Sequence, residues 1–199
     1  MVGHTAGVSD APPPADVPVV VDQVIRARRT NLQVDPDEEV PDELVAHLVD
    51  LATWAPNHKR TWPWRFTVLS GDARWRFGEA LGAVAAADGA PDEKVAKLRS
   101  KYGRSPVVLL AWVRGDGDAV RRREDRDATA AAVQNLLLGA TAFGLASYWG
   151  SVPDALWDAA RRFAGVDDDH DLVALVYLGW PRGLAATPPR PVPEITWLA

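Results

Sequence analysis

Two uninterrupted apolar runs restrict the fold of this 199-residue chain more than any other feature. The first run is Val107–Val113, which is entered through Ser105-Pro106, and the second is Leu172–Leu178. A strand that has no polar residue at alternate positions is typically buried on both faces. Helical patterns lie between and around the two runs, so helices are available to cover both faces of a sheet. The pattern predicts a three-layer α+β or α/β domain.

The longest helical pattern extends from Asp127 to about Leu145 and is small or apolar on nearly every side. Its length alone could suggest a membrane span, but Gln134 and Asn135 lie in its middle and it begins with an acidic residue. No second candidate span exists, so the pattern indicates a central buried helix. Its small residues would let the sheet, or the same helix of a second subunit, approach closely. Gln134 and Asn135 would then need hydrogen-bond partners inside the protein.

Shorter patterns complete the predicted order of helix, helix, strand, helices, strand, long helix, strand, helix, strand. The further helices are expected from about Val19 to Asn31, Asp42 to Trp54, 73 to 88, 91 to 102 and 154 to 164, and the further strands at 64–69 and 147–151. The mixed-sign cluster Arg121–Arg126 is interpreted as exposed helix surface. Residues 1–18 are rich in Gly, Ala, Pro and Asp, which predicts a disordered tail before a single domain at 19–199.

Composition and motif searches exclude several classes of function. The net charge of −5 argues against a nucleic-acid partner, and the absence of cysteine excludes disulfides, thiolate metal sites and cysteine nucleophiles. The four His residues have no metal-site spacing, and the acidic segment Asp167–Asp171 is more typical of a turn than of a cation site. No dinucleotide, Walker A or nucleophile-elbow motif is present. We therefore expect no metal site. We also expect a cytoplasmic protein, since no signal peptide or membrane segment is recognisable.

Three separated clusters carry the candidate binding groups. Arg28-Arg29-Thr30 offers two guanidinium forks and a hydroxyl, which suit a phosphate about as well as they suit the negative end of a helix dipole. The loop from Trp54 to Phe66 holds three Trp, two Pro, a His and three cations, and it could be a ligand cradle or a cap on the core. Trp149-Gly150-Ser151 adds an aromatic wall and backbone donors. Because these clusters lack a strong general acid or base, no catalytic residue is predicted, and a cofactor would carry the chemistry.

With these motifs in this order, the chain resembles the FMN-dependent nitroreductase family, most closely its small single-domain NAD(P)H nitroreductase-like members. Arg28-Arg29-Thr30 is similar to the family's Arg-Arg-Ser at the end of the first helix. Ala55–Phe66 is similar to its Ala-Pro-Ser…Gln-Pro-Trp-Arg-Phe loop, and Asp127–Trp149 to its central helix and following strand. The resemblance implies an α+β, three-layer fold with a central, mainly antiparallel sheet flanked by helices. It also implies a homodimer with two FMN molecules at the subunit interface.

The resemblance further implies three sets of site residues. The FMN-binding set is Arg28, Arg29, Thr30, Trp54, His58, Trp149, Gly150, Ser151 and Arg190. Within it, the arginines would hold the phosphate and ribityl chain, Trp54 and His58 would reach the flavin bound mainly to the other subunit, and the segment 149–151 would lie along the isoalloxazine. The set associated with the nicotinamide nucleotide is Gly139, Ala140, Thr141, Ala142, Phe143 and Gly144. Arg60 and Trp62 stand where the family usually has Asn and Gln, at positions that approach the flavin or substrate, so substrate preference is expected to differ.

The activity implied is that of an oxidoreductase that uses NAD(P)H to reduce nitroaromatic, quinone or similar electron-poor acceptors by a ping-pong mechanism. The same scaffold also carries dehalogenation, flavin breakdown and azoline oxidation. A flavin-binding or redox-sensing protein without turnover is a third alternative, favoured if Arg60 and Trp62 crowd the substrate face. The sequence leaves these alternatives open, together with the choice between NADH and NADPH.

Overall fold

A computed structural model describes residues 16–198 of the chain, in which six helices surround one four-stranded sheet. The helices are α1 (Val17–Ala27), α2 (Asp42–Thr53), α3 (Asp72–Ala87), α4 (Asp92–Ser100), α5 (Ala119–Ala142) and α6 (Trp157–Ala164). The strands are β1 (Trp64–Ser70), β2 (Val107–Arg114), β3 (Ala146–Gly150) and β4 (His170–Gly179). They lie in the order β1-β2-β4-β3, and each neighbouring pair is antiparallel.

The two apolar runs form the two central strands, β2 and β4, as predicted. Along β2, Val108, Leu110 and Trp112 face one core, and the residues between them face the other. Helices α3, α4 and α6 cover the first core, whereas α2 and α5 cover the second. The three-layer α+β prediction is therefore confirmed, because a strand buried on both faces requires a helical layer on each side.

Helix α5 is the predicted central helix, but it begins eight residues before the predicted start. The side chain of Asp118 accepts a hydrogen bond from the backbone N–H of Arg121 at 2.9 Å and so caps a longer helix. The second half of α5 is buried against α2 and the sheet, where Asn135 donates to the Leu51 carbonyl at 3.4 Å. Gln134 is exposed, so the expectation of an internal partner for it was wrong. No helix within residues 16–198 is long and apolar enough to span a membrane.

The N-terminal region departs from its predicted boundary and burial. Most of the predicted tail lies outside the described residues, but α1 already begins at Val17, before the predicted domain start. Val21, Val24 and Ile25 recur at positions i, i+3 and i+4, a spacing that is typical of a buried helix face. The structure differs, because no residue of α1 is buried, and Val21 and Ile25 are about half exposed (49% and 52%). The stripe is present, but no part of residues 16–198 buries it.

Candidate functional site

A cavity of about 710 Å³ lies between the end of α1, the middle of α5 and the C-terminal segment. We call it the arginine cavity. Its lining includes Ile25, Arg28, Arg29, Gln134, Thr187 and Arg190. The structure thus places Arg190, which is 161 residues further along the chain than Arg29, beside the first arginine cluster. The volume lies within the range of small-molecule and cofactor sites.

The arginines around this cavity differ in the hydrogen bonds and ion pairs that they already make within the protein. Arg29 donates to the Thr187 hydroxyl at 3.2 Å and to the backbone carbonyls of Arg26 and Arg28, so it holds the C-terminal segment in place. Arg26, at the edge, is paired with the Asp22 carboxylate at 2.7 Å. Within residues 16–198, neither Arg28 nor Arg190 has a side-chain hydrogen bond or ion pair, and Arg28 is half-buried. A half-buried cation without a partner is costly, which points to an anionic ligand.

The segment that follows the first arginines is attached to the free edge of β3. Thr30 forms a parallel bridge with Ser147, and the N–H of Asn31 donates to the Ser147 carbonyl at 2.9 Å. Trp149 lies two residues further along β3 and is 40% exposed. This attachment brings the first and third sequence-predicted clusters to one edge of the sheet. Gly150 ends the strand, and Ser151 follows it on the surface.

The second sequence-predicted cluster forms an exposed turn at residues 58–62, which we call the 58–62 turn. Lys59, Arg60 and Trp62 have φ angles of 55°, 55° and 47°, a left-handed region that side chains other than Gly seldom adopt. Among residues 16–198, two side-chain contacts hold the turn: the N–H of Trp62 donates to the Asn57 side chain at 3.2 Å, and the hydroxyl of Thr61 donates to the carboxylate of Asp125 in α5. Strain of this kind is concentrated at functional sites.

A cavity of about 480 Å³ separates this turn from the start of α5. On the turn side it is lined by His58 to Thr61, and on the helix side by Asp118 and Arg121 among others. The pKa of Asp118 is lowered, chiefly because the Arg121 N–H donates to its carboxylate and also because the cation of Lys59 is close. The cations of the turn therefore face a helix surface that carries both signs of charge.

The predicted nicotinamide segment is only partly accessible. Gly139 packs against α2, where an added Cβ would lie 2.8 Å from Leu51, and Ala140 is fully buried, so neither residue has surface for a nucleotide. Their small size serves helix packing, and direct nucleotide contacts from them are not supported. Thr141 and Gly144 line a cavity of about 410 Å³ that also includes Arg29. Ala142 and Phe143 are exposed, so the prediction for Thr141–Gly144 stays open.

The remaining predicted residues do not line the arginine cavity. Trp54 follows the last residue of α2 and is 63% exposed. Trp62 is 60% exposed, with its ring centroid 6.0 Å from that of Trp64. Pro63 is buried and Trp64 begins β1, so the loop is divided into an exposed part and a structural part. A single chain therefore brings Arg28, Arg29 and Arg190 together, but it leaves Trp54 and His58 facing solvent.

The acidic segment before β4 brings three potential metal ligands close together. Atoms of Asp167, Asp169 and His170 lie within 4.8 Å of one another. His170 is already hydrogen-bonded to Asp169 at 2.6 Å, and Arg161 donates to the His170 carbonyl at 2.5 Å. A guanidinium in the same cluster disfavours a cation there, so the interpretation as a turn is kept.

Sequence reasoning missed two residues that the geometry singles out. Gln134 lines the arginine cavity, and its signal was a polar amide within an otherwise small and apolar stretch. Asp125 is 1% exposed, although it lies in the cluster interpreted as exposed helix surface. Nothing in its local pattern distinguishes Asp125 from its charged neighbours, because the contact that buries it comes from a residue 64 positions earlier.

Comparison with known proteins agrees with this architecture. The family model described as the nitroreductase family matches residues 25–180. The Escherichia coli K12 protein YdjA, provisionally assigned as an NAD(P)H nitroreductase, is 30% identical over 147 residues, which is 72% of this chain and 80% of that protein. This chain belongs to the nitroreductase family. The family resemblance predicted from the three motifs is therefore confirmed.

Solved structures of nitroreductase-type proteins share the fold. A nitroreductase-like family protein from Bacillus cereus superimposes with a TM-score of 0.70 at 25% identity, covering 92% of this chain and 95% of that one. A provisionally assigned nitroreductase from Desulfovibrio desulfuricans, crystallised in complex with FMN, gives a TM-score of 0.66 at 26% identity, covering 86% and 92%. The nitroreductase fold thus extends over nearly the whole described chain.

Proposed function

We propose that this nitroreductase-family protein is a homodimeric, FMN-dependent oxidoreductase that transfers electrons from NAD(P)H to nitroaromatic, quinone or similar electron-poor acceptors. The two substrates would use the site in turn, as in a ping-pong cycle. The observation that carries the proposal is the arginine cavity, in which Arg28 and Arg190 converge without a protein partner among residues 16–198. Family membership and the FMN complex of the D. desulfuricans relative support the choice of flavin.

The cavity fits the phosphate end of FMN. Arg28 and Arg190 would donate to the phosphate oxygens, while Arg29 keeps the C-terminal segment closed over the cavity through Thr187. The Asp22–Arg26 pair is neutral, so the cavity stays cationic in a chain whose net charge is −5. When bound, FMN supplies the hydride and electron chemistry that no side chain of this site offers.

Residues at the edge of the sheet would position the flavin ring and its substrates. Trp149, Gly150 and Ser151 follow the strand to which the first arginine segment is attached, so they would lie along the ring. The aromatic face of Trp62 and the cation of Arg60 are exposed and suit a flat, electron-poor acceptor. NAD(P)H as donor is supported by the assignment of the relative YdjA, and Thr141–Gly144 at the neighbouring cavity would contact its nucleotide.

The dimer is supported by apolar surface that the described residues 16–198 leave exposed. Val19, Val20, Val21 and Ile25 of α1 are each about half exposed or more, and Trp54 and Trp197 are further exposed aromatics. Exposed apolar area of this extent is typical of an interaction surface. A second copy covering α1 would bury it and could bring Trp54 and His58 of one subunit to the flavin of the other.

The absorbance spectrum of the purified protein, recorded with FMN before and after anaerobic addition of NADH or NADPH, tests cofactor and donor together. We expect a bound-flavin spectrum that bleaches with at least one donor and recovers when a nitroaromatic or quinone is added. Absence of FMN binding would refute the proposal. Flavin that binds but is not reduced by either donor would favour another reaction on this fold or a flavin-binding protein without turnover. Sedimentation velocity tests the dimer separately.

A further inference from the structure

Asp125 is a carboxylate buried in the most polar part of α5. Its side chain is 2% exposed, whereas neighbouring charged residues from Arg121 to Arg126 are largely on the surface. A carboxylate is seldom buried unless its oxygens are occupied by donors. One oxygen accepts the hydroxyl of Thr61 at 2.5 Å, and the other lies 3.4 Å from Nε of Arg121. The burial of Asp125 is thus tied to one residue of the 58–62 turn.

Thr61 lies at the centre of the strained part of that turn. Its own φ is −70°, whereas the residues on both sides, Arg60 and Trp62, have positive φ angles. The turn carries no bulky buried side chain before Pro63, so packing does not impose this backbone conformation. The Thr61–Asp125 contact and the Trp62–Asn57 hydrogen bond are its side-chain anchors within the described residues. Of these, only the Asp125 contact ties the turn to α5, the helix that also lines the arginine cavity through Gln134.

We propose that Asp125 is a positioning residue that fixes Arg60 and Trp62 relative to the flavin site, and thereby determines how tightly the electron acceptor binds. This inference rests on the proposed function, which assigns Arg60 and Trp62 to the acceptor. Asp125 itself touches no substrate. It acts through Thr61, which holds the turn in a conformation that the turn's own residues disfavour. In this conformation the ring of Trp62 and the cation of Arg60 both remain exposed for the acceptor. Loss of the contact releases the turn while leaving the arginine cavity and the sheet edge unchanged.

Two variants break the contact with little change of shape: Asp125→Asn removes the charge, and Thr61→Val removes the hydroxyl. Thr61→Ser keeps the hydroxyl and should behave as the wild type. Asp127→Asn is the matched control. It removes a carboxylate from the same helix, but this carboxylate is exposed and makes no side-chain hydrogen bond within residues 16–198. Thr61→Val also guards against misfolding of Asp125→Asn, since Thr61 lies in a surface turn and Asp125 in the interior.

The first measurement is limited trypsin digestion of the FMN-loaded full-length protein, with cleavage mapped by mass spectrometry. Lys59 and Arg60 are exposed and supply two cleavage sites within the turn. We expect cleavage at these sites to be about tenfold faster in Asp125→Asn and Thr61→Val, the change that corresponds to losing one charge-assisted hydrogen bond from the closed turn. Unchanged cleavage in both variants would overturn the positioning role, whether or not the protein is a nitroreductase.

The second measurement separates acceptor binding from reduction by the donor. We expect KM for a nitroaromatic acceptor to rise by about tenfold in both variants, while the rate of flavin reduction by NAD(P)H in anaerobic stopped-flow stays within about twofold of wild type. Faster cleavage with an unchanged KM would overturn the link to the acceptor. If the wild type does not turn over any acceptor, the proposed function fails, and the positioning role is decided by the digestion alone.

Discussion

Replacing Arg28 by Ala tests the assignment of the arginine cavity most directly. Arg28 is half-buried, lines the cavity and makes no side-chain hydrogen bond within residues 16–198, so its guanidinium is available to a ligand phosphate. A hydrogen bond to a charged group contributes about 1.5–3 kcal/mol. Taking about 2 kcal/mol for a half-buried site, we expect the Kd for FMN to rise by about 30-fold. Because the substitution removes no hydrogen bond or ion pair among residues 16–198, the unfolding midpoint of the FMN-free protein should stay unchanged.

The neighbouring arginines supply graded comparisons. Arg190→Ala removes an exposed cation and should weaken FMN binding by about fivefold, corresponding to about 1 kcal/mol. Arg29→Ala should lower both affinity and stability, since Arg29 also holds Thr187 and two backbone carbonyls. The double variant Asp22→Asn/Arg26→Gln keeps the net charge and removes an ion pair whose two charges already neutralise each other. We therefore expect the Kd for FMN to change by at most about twofold.

Titration of each FMN-free variant with FMN, followed by flavin fluorescence, gives the Kd, and thermal unfolding without FMN gives the stability. The reasoning is refuted if Arg28→Ala binds FMN as tightly as the wild type. It is equally refuted if the Asp22/Arg26 double variant loses as much affinity as Arg28→Ala, since the effect would then reflect general charge and not a specific phosphate contact. A lower salt dependence of FMN binding in Arg28→Ala is an independent expected result.

Two further predictions concern packing and pH. Gly139→Val places a side chain 2.8 Å from Leu51 and should destabilise the protein by about 1–3 kcal/mol in urea unfolding. Ala142→Val, at an exposed position of the same helix, should cost at most about 0.7 kcal/mol, the difference in helix propensity. If Gly139→Val is no more destabilising than Ala142→Val, the packing argument is refuted. Burial raises the pKa of Tyr177 to about 12, so its contribution to stability is fully present below pH 10 and is lost as the pH rises toward 12, because the unfolded chain ionises first. Tyr177→Phe should therefore lose less stability than the wild type between pH 9 and pH 11, by about 1 kcal/mol, and an identical loss in both proteins would contradict the assignment.

The layered architecture could be predicted from the sequence because it depends on local hydrophobic patterns. Val107–Val113 and Leu172–Leu178 are apolar at every position, and only a strand between two helical layers buries every side chain of such a run. The central helix was recognised for the same reason, although its start was misplaced. Asp118 caps the helix through a side-chain contact that no periodicity reveals.

Only those residues of the candidate site that belong to short sequence motifs could be predicted from the sequence. Arg28, Arg29 and Trp149 were selected from short clusters, whereas the meeting of Arg190 with the first arginines depends on the path of the C-terminal segment across the surface. The burial of Gly139 likewise follows from the position of α2, whose Leu51 and Leu48 lie against it. Small residues indicate close approach, but they do not reveal what approaches them.

By itself, the sequence determined the layers, the two central strands and the family, since these follow from patterns within short stretches of chain. Only the tertiary structure decided which charged residues have hydrogen-bond or ion-pair partners and which residues those partners are. It joined Thr61 to Asp125 across 64 positions. Among residues 16–198, it left Arg28 and Arg190 without protein partners and the apolar stripe of α1 exposed. The physical reason is that the cost of a charge or an apolar surface depends on what surrounds it in space, and the residues that surround it are distant in sequence.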